Sequence, residues 1–267
     1  MSKSPRIGIS WRLESYAQLN GLGFDFMDVF GGDMMSLSEE RFAALAEAAA
    51  EGTMPCCNIC LYCPPEIKLL GAGFDLNTVS DYGRRAAARA KRLGMGGIGI
   101  GSGASRTIPE GYSFEKAENE LLNSLRATAD IGAQQGLALM LEPLNSFCCN
   151  HLLYTHETAQ FIRRIERENV SMVFDLHHSA LMGEKLKDLR EFVPMMRSVQ
   201  FNEIDWEKGN KLFLRRENLD TYLIWLATLL DMGYEGDFCV EPVLALDFPE
   251  EIKRTRDVVE EIKHRLR

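Results

Sequence analysis

Eight short apolar segments alternate with segments of helical character along almost the whole chain of 267 residues. The apolar segments are nonpolar nearly throughout, which indicates strands that are buried on both faces, as in a parallel sheet. Eight β/α units in about 250 residues match the size of a (β/α)8 TIM barrel. A doubly wound open sheet is the alternative that the same alternation supports. The predicted strands are Arg6–Trp11, Asp25–Phe30, Pro55–Leu61, Gly97–Gly101, Leu137–Glu142, Val170–Asp175, Arg197–Asn202 and Asp237–Glu241.

The segments between the predicted strands carry helix start and stop signals. Ser38 is a predicted N-cap with an acidic first turn after it, and Gly94 is a helix-stop signal. No linker-like tract interrupts the alternation, so we expect one α/β domain over residues 1–267. The predicted helices start at Ser38, Thr78, Ser113, Thr155, Lys185, Asn218 and Pro249.

Composition limits the partners of the chain. Thirty basic residues against thirty-nine acidic ones give a formal net charge of -9, so we do not expect binding to nucleic acid. No window approaches 18 uninterrupted apolar residues, and we therefore expect no membrane span. The N-terminus lacks the apolar stretch of a secretory signal, so the seven cysteines are expected to be reduced thiols of a cytoplasmic protein. The sequence leaves homo-oligomerisation open.

Four polar side chains fall at the ends of four predicted strands. They are Glu142, Asp175, Gln200 and Glu241, each about one β/α unit from the next. In a barrel, parallel strands would bring them to the same carboxyl-terminal rim, where barrel enzymes keep their catalytic groups. Carboxylates that converge in a water-poor site need a cation, and oxygen ligands favour Mg²⁺ or Mn²⁺. The competing interpretation is that each carboxylate only caps the helix that follows it.

Three further side chains are candidates for substrate contacts. His178 follows Asp175 by three residues, and Asn145 follows Glu142 by three residues. Arg106 follows the fourth predicted strand in a glycine-containing loop that could line the same site.

Several segments in the same order resemble the xylose isomerase-like barrels. They are Gly101-Ser102-Gly103-Ala104-Ser105-Arg106-Thr107-Ile108-Pro109-Glu110-Gly111, Leu141-Glu142-Pro143-Leu144-Asn145, Asp175-Leu176-His177-His178 and Gly233-Tyr234-Glu235-Gly236 with Val240-Glu241. The resemblance extends over nearly the whole chain and is greatest to the sugar isomerase/epimerase branch, which includes ketose 3-epimerases and hydroxypyruvate isomerase.

The resemblance implies one divalent metal ion, with Glu142, Asp175, Gln200 and Glu241 as its ligands. Mn²⁺ or Mg²⁺ is favoured, with Zn²⁺ and Co²⁺ as alternatives. The resemblance also implies that Glu142 and Glu241 form the acid/base pair and that His178 contacts the substrate. A glutamine at the third ligand position resembles the hydroxypyruvate isomerase pattern.

The chain departs from the epimerase pattern at the substrate. Ser146 and Cys148 stand where epimerases often have an arginine and a second glutamate, and residues 202–206 contain no arginine. The predicted metal ligands are therefore present, whereas residues that usually contact the substrate are replaced.

The predicted activity is isomerisation or epimerisation of a small keto-sugar or hydroxy-keto acid through a metal-stabilised enediolate. An inosose-type dehydratase on the same barrel shares the first step of that reaction. A non-catalytic sugar-binding barrel is the alternative from another functional class, and the altered substrate contacts favour it.

Two further motifs are given structural interpretations. Cys57, Cys60 and Cys63 form a CxxCxxC pattern, but residues three apart on a strand point to opposite faces, so a metal cluster is not expected there. Residues 94–99 match GxGxxG, but this segment follows a predicted helix and enters a strand, the reverse of the dinucleotide-binding order.

Overall fold

The computed structural model describes residues 5–267, and its central element is a closed barrel of eight parallel strands. The order of neighbouring strands is β1-β10-β7-β6-β5-β4-β3-β2. β1 pairs with both β2 and β10, which closes the sheet, so the TIM barrel prediction is confirmed and the open sheet is excluded. The barrel strands are β1 (Ile7–Trp11), β2 (Met27–Phe30), β3 (Cys56–Cys60), β4 (Gly97–Ile100), β5 (Ala138–Leu141), β6 (Val170–Asp175), β7 (Met196–Phe201) and β10 (Asp237–Val240).

Ten α-helices and three 3-10 helices surround the barrel in the described part of the chain. No helix formed by residues 5–267 is both long and apolar enough to cross a membrane. The α-helices are α1 (Tyr16–Leu19), α2 (Gly31–Ser36), α3 (Glu39–Glu51), α4 (Leu76–Arg92), α5 (Gly103–Arg106), α6 (Phe114–Gln134), α7 (Thr155–Ile165), α8 (Leu176–Leu181), α9 (Leu219–Asp231) and α10 (Phe248–Arg265). The 3-10 helices are Leu13–Ser15, Leu186–Met195 and Arg216–Asn218.

The helix starts follow from side-chain caps. Ser38 Oγ accepts a hydrogen bond from the N–H of Arg41, and Ser113 Oγ accepts one from the N–H of Lys116, as the predicted N-caps require. The helix predicted from Lys185 is a 3-10 helix instead. It contains Pro194, which lacks the N–H that a regular α-helix needs.

A short hairpin after β7 was not predicted. Its strands are β8 (Glu203–Ile204) and β9 (Lys211–Leu212), which pair antiparallel outside the barrel. The turn between them depends on Asp205, whose Oδ1 accepts hydrogen bonds from the N–H groups of Glu207 and Lys208 at 3.2 and 3.1 Å. An Asp side chain that satisfies the backbone in this way favours a tight turn over a longer strand.

Two adjacent glycines at the start of α2 provide a test of the packing. A Cβ on Gly31 would lie 2.3 Å from the carbonyl oxygen of Tyr62, whereas a Cβ on Gly32 would meet nothing closer than 3.7 Å. We expect Gly31→Ala to lower the free energy of unfolding by about 1–3 kcal/mol, because the backbone must move. Gly32→Ala should be neutral or slightly stabilising, because alanine favours a helix more than glycine does. Urea denaturation of both variants measures this difference, and equal stabilities would contradict it.

Candidate active site

The four predicted metal ligands lie together at the carboxyl ends of the strands. Glu142 follows β5, Asp175 ends β6, Gln200 lies in β7 and Glu241 follows β10, and all four are buried. The register pairs Asp175 with Gln200, and Gln200 Nε2 donates a hydrogen bond to Glu241 Oε1 at 2.9 Å. Parallel strands therefore bring these four side chains to one rim, as their spacing predicts.

A lysine that sequence reasoning missed occupies the centre of this group. The Nζ atom of Lys211 forms ion pairs with Asp175 Oδ2 and Glu241 Oε2, and it lies 3.6 Å from Glu142 Oε1. The Lys211 side chain is only 7% exposed. One ammonium group thus neutralises part of the charge of three buried carboxylates.

The hairpin β8–β9 determines where Lys211 points. The carbonyl of Lys211 accepts a hydrogen bond from the N–H of Val243, just after Glu241, at 3.0 Å. On the facing strand, Glu203 accepts hydrogen bonds from Asn218 Nδ2 and from the hydroxyl of Tyr222. The sequence signal that could have revealed this hairpin is the turn chemistry of residues 205–210. Lys211 itself gave no signal, because a lysine beside a turn is usually solvated.

Burial and mutual repulsion change the acidity of the carboxyl groups. Burial raises the pKa of Glu142 to about 7 and that of Glu241 to about 7, and Lys211 opposes both shifts. Asp175 differs, because burial raises its pKa but the charge of Lys211 outweighs burial and lowers the pKa to about 2. Burial by itself lowers the pKa of Lys211, but the three carboxylates together raise it well above its ordinary value.

Asn145 sets the protonation of His178. Asn145 Oδ1 accepts the N–H of Phe147 at 2.9 Å, so its Nδ2 faces His178 Nδ1 at 2.8 Å and donates to it. Because Nδ1 accepts, the proton of the neutral ring is on Nε2, which lies 3.3 Å from Glu142 Oε1. Burial and the charge of Lys211 keep the imidazole neutral by lowering the pKa of His178 to about 3.

Asp175 also serves the helix that follows it. Its Oδ1 accepts a hydrogen bond from the N–H of His177 at 2.8 Å and so caps α8, while Oδ2 faces Lys211. The two interpretations of strand-end carboxylates are therefore compatible in this residue. The neighbouring His177 is buried, and its Nε2 lies 3.2 Å from the carbonyl oxygen of Gly209 in the hairpin turn.

Arg106 is fully buried beside the carboxylates. Its Nη2 donates to the main-chain carbonyl of Glu142, while Nε and Nη1 have no hydrogen-bond partner among the described residues. This contact helps to hold Glu142 at the end of β5. The predicted contact of Arg106 with substrate stays a prediction.

A cavity of about 510 Å³ opens above the carboxylates. Asn145, His178 and Lys211 are among its lining residues, whereas Glu142 and Glu241 are buried and are not among them. A small polar molecule in this cavity would meet two hydrogen-bonding groups and one positive charge before it met a carboxylate.

The donor atoms of the site suit a divalent metal chemically. Glu142, Asp175 and His178 offer ligand atoms that lie within 4.8 Å of one another. Glu142 Oε1 and Gln200 Oε1 are buried and have no hydrogen-bond partner in the described part of the chain, and Asp175 Oδ2 is buried and forms an ion pair with Lys211. Oxygen atoms of this kind are the ligands that Mg²⁺ and Mn²⁺ prefer. The predicted ligands therefore fit a metal by their chemistry, although Lys211 lies among them.

The thiols of the CxxCxxC pattern are spread along the barrel. Cys57 lines a second cavity, at the amino-terminal ends of the strands, and Cys63 lines the cavity at the carboxyl-terminal end. The GxGxxG segment follows α4 and enters β4, so it opens no helix.

A sequence model of the xylose isomerase-like TIM barrel family matches residues 16–263. The chain belongs to this family. The resemblance inferred from the strand-end motifs is thereby confirmed.

Relatives of this xylose isomerase-like barrel include two proteins provisionally named hydroxypyruvate isomerase. The one from Xenopus laevis is 30% identical over 159 residues, which are 57% of this chain and 55% of that protein. The one from Homo sapiens is 31% identical over 171 residues, which are 58% of this chain and 59% of that protein. The matches thus span little more than half the length of these relatives.

Solved structures share the fold over the full length. A crystal structure of D-psicose 3-epimerase in the presence of D-fructose superposes with a TM-score of 0.78 at 16% identity, and the match covers 98% of this chain and 99% of that one. At this level of identity the comparison establishes the barrel architecture alone.

One departure from the epimerase pattern, Cys148, lies at the cavity. Cys148 lines it, and its thiol contacts the main-chain oxygen of Asn145 at 3.5 Å. The segment that lacks an arginine, residues 202–206, contains β8, the first strand of the hairpin that carries Lys211.

The raised pKa of Glu142 predicts a pH dependence of stability. In the folded state Glu142 keeps its proton up to a pKa of about 7, whereas its ordinary pKa is near 4.5. The protonated group therefore adds to the free energy of unfolding in full below pH 4.5, and this stabilisation is lost as the pH rises through 7. Glutamine stays uncharged at every pH. We therefore expect the free energy of unfolding of Glu142→Gln to rise by about 1 kcal/mol relative to that of wild type between pH 6 and pH 8. The comparison cancels the titration of the buried histidines, which both proteins share.

Urea denaturation at the two pH values measures this gain. Glu207→Gln removes an exposed carboxylate from the hairpin tip and should follow wild type. A constant difference between wild type and Glu142→Gln would show that Glu142 titrates at its ordinary pKa.

Proposed function

We propose that this chain moves a proton between adjacent carbons, or between faces of one carbon, in a small keto-sugar or hydroxy-keto acid. The observation that carries the proposal is the pair Glu142 and Glu241, two buried carboxyl groups with pKa values of about 7 beside one cation. A general acid or base is most effective when its pKa lies near the working pH. The relatives provisionally named hydroxypyruvate isomerase support the same class of reaction.

The two glutamates divide the proton transfer between them. One, as the carboxylate, removes the proton beside the carbonyl carbon, and the other, as the acid, returns a proton. Burial raises the pKa of both groups to about 7, and the charge of Glu142 adds to the rise at Glu241, so an ionised Glu142 beside a protonated Glu241 is favoured near neutral pH.

Two uncharged side chains of the cavity, Asn145 and His178, would orient the substrate. Asn145 holds the His178 ring with its Nε2–H directed toward Glu142, and both residues line the cavity. A substrate hydroxyl or carbonyl oxygen can accept from such a donor, which makes His178 and Asn145 the substrate-binding candidates. Arg106 acts behind them through the carbonyl of Glu142.

One divalent ion, Mn²⁺ or Mg²⁺ in preference to Zn²⁺ or Co²⁺, would be held by Glu142, Asp175, Gln200 and Glu241. When bound, such an ion polarises the substrate carbonyl and stabilises the negative charge that develops on its oxygen. The buried oxygens Glu142 Oε1 and Gln200 Oε1, which have no hydrogen-bond partner among the described residues, support this ligand set.

Exchange of solvent deuterium into substrate tests the proposal. Hydroxypyruvate and a set of free ketoses are incubated with the protein in D2O and followed by NMR, with and without added Mn²⁺. Glu142→Gln and Glu241→Gln should each slow exchange by about 100-fold or more, because each lacks one proton-transfer group. Glu207→Gln, at the exposed hairpin tip, should leave exchange unchanged.

The products distinguish the alternatives. An isomeric sugar or keto acid supports the proposal, and a dehydrated product assigns the chain to the inosose-type dehydratases. Tight sugar binding with no exchange on any of the compounds would favour the non-catalytic sugar-binding barrel, to which the altered residues Ser146 and Cys148 point.

A further inference from the structure

The ammonium nitrogen of Lys211 lies where the predicted metal ligands converge. It forms ion pairs with Asp175 and Glu241 and lies 3.6 Å from Glu142 Oε1. A metal ion held by the same oxygens would approach each of them to about 2.0–2.2 Å, so it and the ammonium group exclude each other. We propose that Lys211 is the resident cation of this site, and that a divalent metal binds only by displacing its ammonium group.

The number of partners matches the chemistry of lysine. An ammonium group carries three N–H donors and no acceptor, and three carboxylates surround this one. Three buried carboxylates without a cation would repel one another strongly. Lys211 therefore supplies the charge that a metal ion would otherwise supply.

The protonation of His178 also disfavours a metal. His178 belongs to the group whose ligand atoms lie within 4.8 Å of one another. Because Asn145 donates to Nδ1, the ring nitrogen nearest to Glu142 carries the proton and has no lone pair for a metal. Of the three candidate metal ligands in that group, only the carboxylates of Glu142 and Asp175 remain, and both already face Lys211.

The backbone around Lys211 holds the side chain in place. The Lys211 carbonyl accepts the N–H of Val243 at 3.0 Å, and His177 Nε2 lies 3.2 Å from the carbonyl oxygen of Gly209 in the same hairpin. The side chain is 7% exposed, unlike that of Lys208 at the exposed tip of the hairpin. Displacement of the ammonium group therefore breaks buried ion pairs rather than moving a solvated lysine.

Manganese titration tests the proposal on the whole protein. Wild type, Lys211→Met and Lys208→Met are stripped of metal with EDTA, and free Mn²⁺ is measured by EPR as Mn²⁺ is added at pH 8. Lys211→Met should bind one Mn²⁺ on the order of 100-fold more tightly than wild type, because no buried ion pair must be broken first. Lys208→Met should behave as wild type.

Thermal unfolding provides a second measurement that does not depend on activity. The Tm of wild type should be the same in EDTA and in Mn²⁺. The Tm of Lys211→Met should be lower in EDTA and should rise when Mn²⁺ is added, because a ligand that binds only the folded state stabilises it.

Specific outcomes would overturn the proposal. They are tight stoichiometric Mn²⁺ binding by wild type, a wild-type Tm that falls in EDTA and recovers with Mn²⁺, or equal Mn²⁺ affinities of wild type and Lys211→Met. If Lys211→Met does not fold, the two wild-type measurements decide: weak Mn²⁺ binding with an EDTA-independent Tm supports the proposal, and either opposite result overturns it.

The proposal deepens the proposed function and rests on it for its catalytic meaning, but the two can fail separately. Deuterium exchange that occurs together with tight Mn²⁺ binding by wild type overturns the role of Lys211 and leaves the proton transfer standing. Weak wild-type binding without exchange on any substrate, with or without Mn²⁺, supports the role of Lys211 and contradicts the proton transfer.

Discussion

The arrangement of this site depends on the attraction between one buried ammonium group and three buried carboxylates. Glu142, Asp175 and Glu241 lie at the ends of separate strands, where water is scarce and like charges repel strongly. Lys211 gives them a common positive partner, and it does so from a hairpin that is not part of the barrel. The charge balance of the barrel mouth therefore depends on a segment that the eight β/α units do not contain.

The same attraction separates the roles of the carboxylates. Asp175 contacts Lys211 and also caps α8, and its pKa falls to about 2, so it stays ionised as a fixed charge. Burial raises the pKa values of Glu142 and Glu241 to about 7. Groups whose pKa values are driven apart in this way suit different tasks: one to hold a cation, the others to carry a proton.

The chain belongs to the xylose isomerase-like family, but its cavity differs from the epimerase pattern. Cys148 lines the cavity, and the residues that follow Asn202 form a hairpin that brings in a lysine. A fold shared with sugar epimerases at 16% identity accounts for the position of the strand ends and not for the side chains that face a substrate. The carboxylates at the strand ends and the residues that line the cavity are therefore best considered as separate parts of the site.

The amino-acid sequence predicted the barrel, with an open sheet as the alternative, and the convergence of four polar residues. Apolar runs, helix caps such as Ser38 and glycine stops are local signals, and parallel strands bring residues such as Glu142 and Gln200 to one rim whatever the details of packing. The closed fold was needed to show that Lys211 enters this rim and that Arg106 is fully buried behind Glu142. The physical reason is that the direction of a long charged side chain depends on partners distant in sequence, and those partners come together only when the barrel closes.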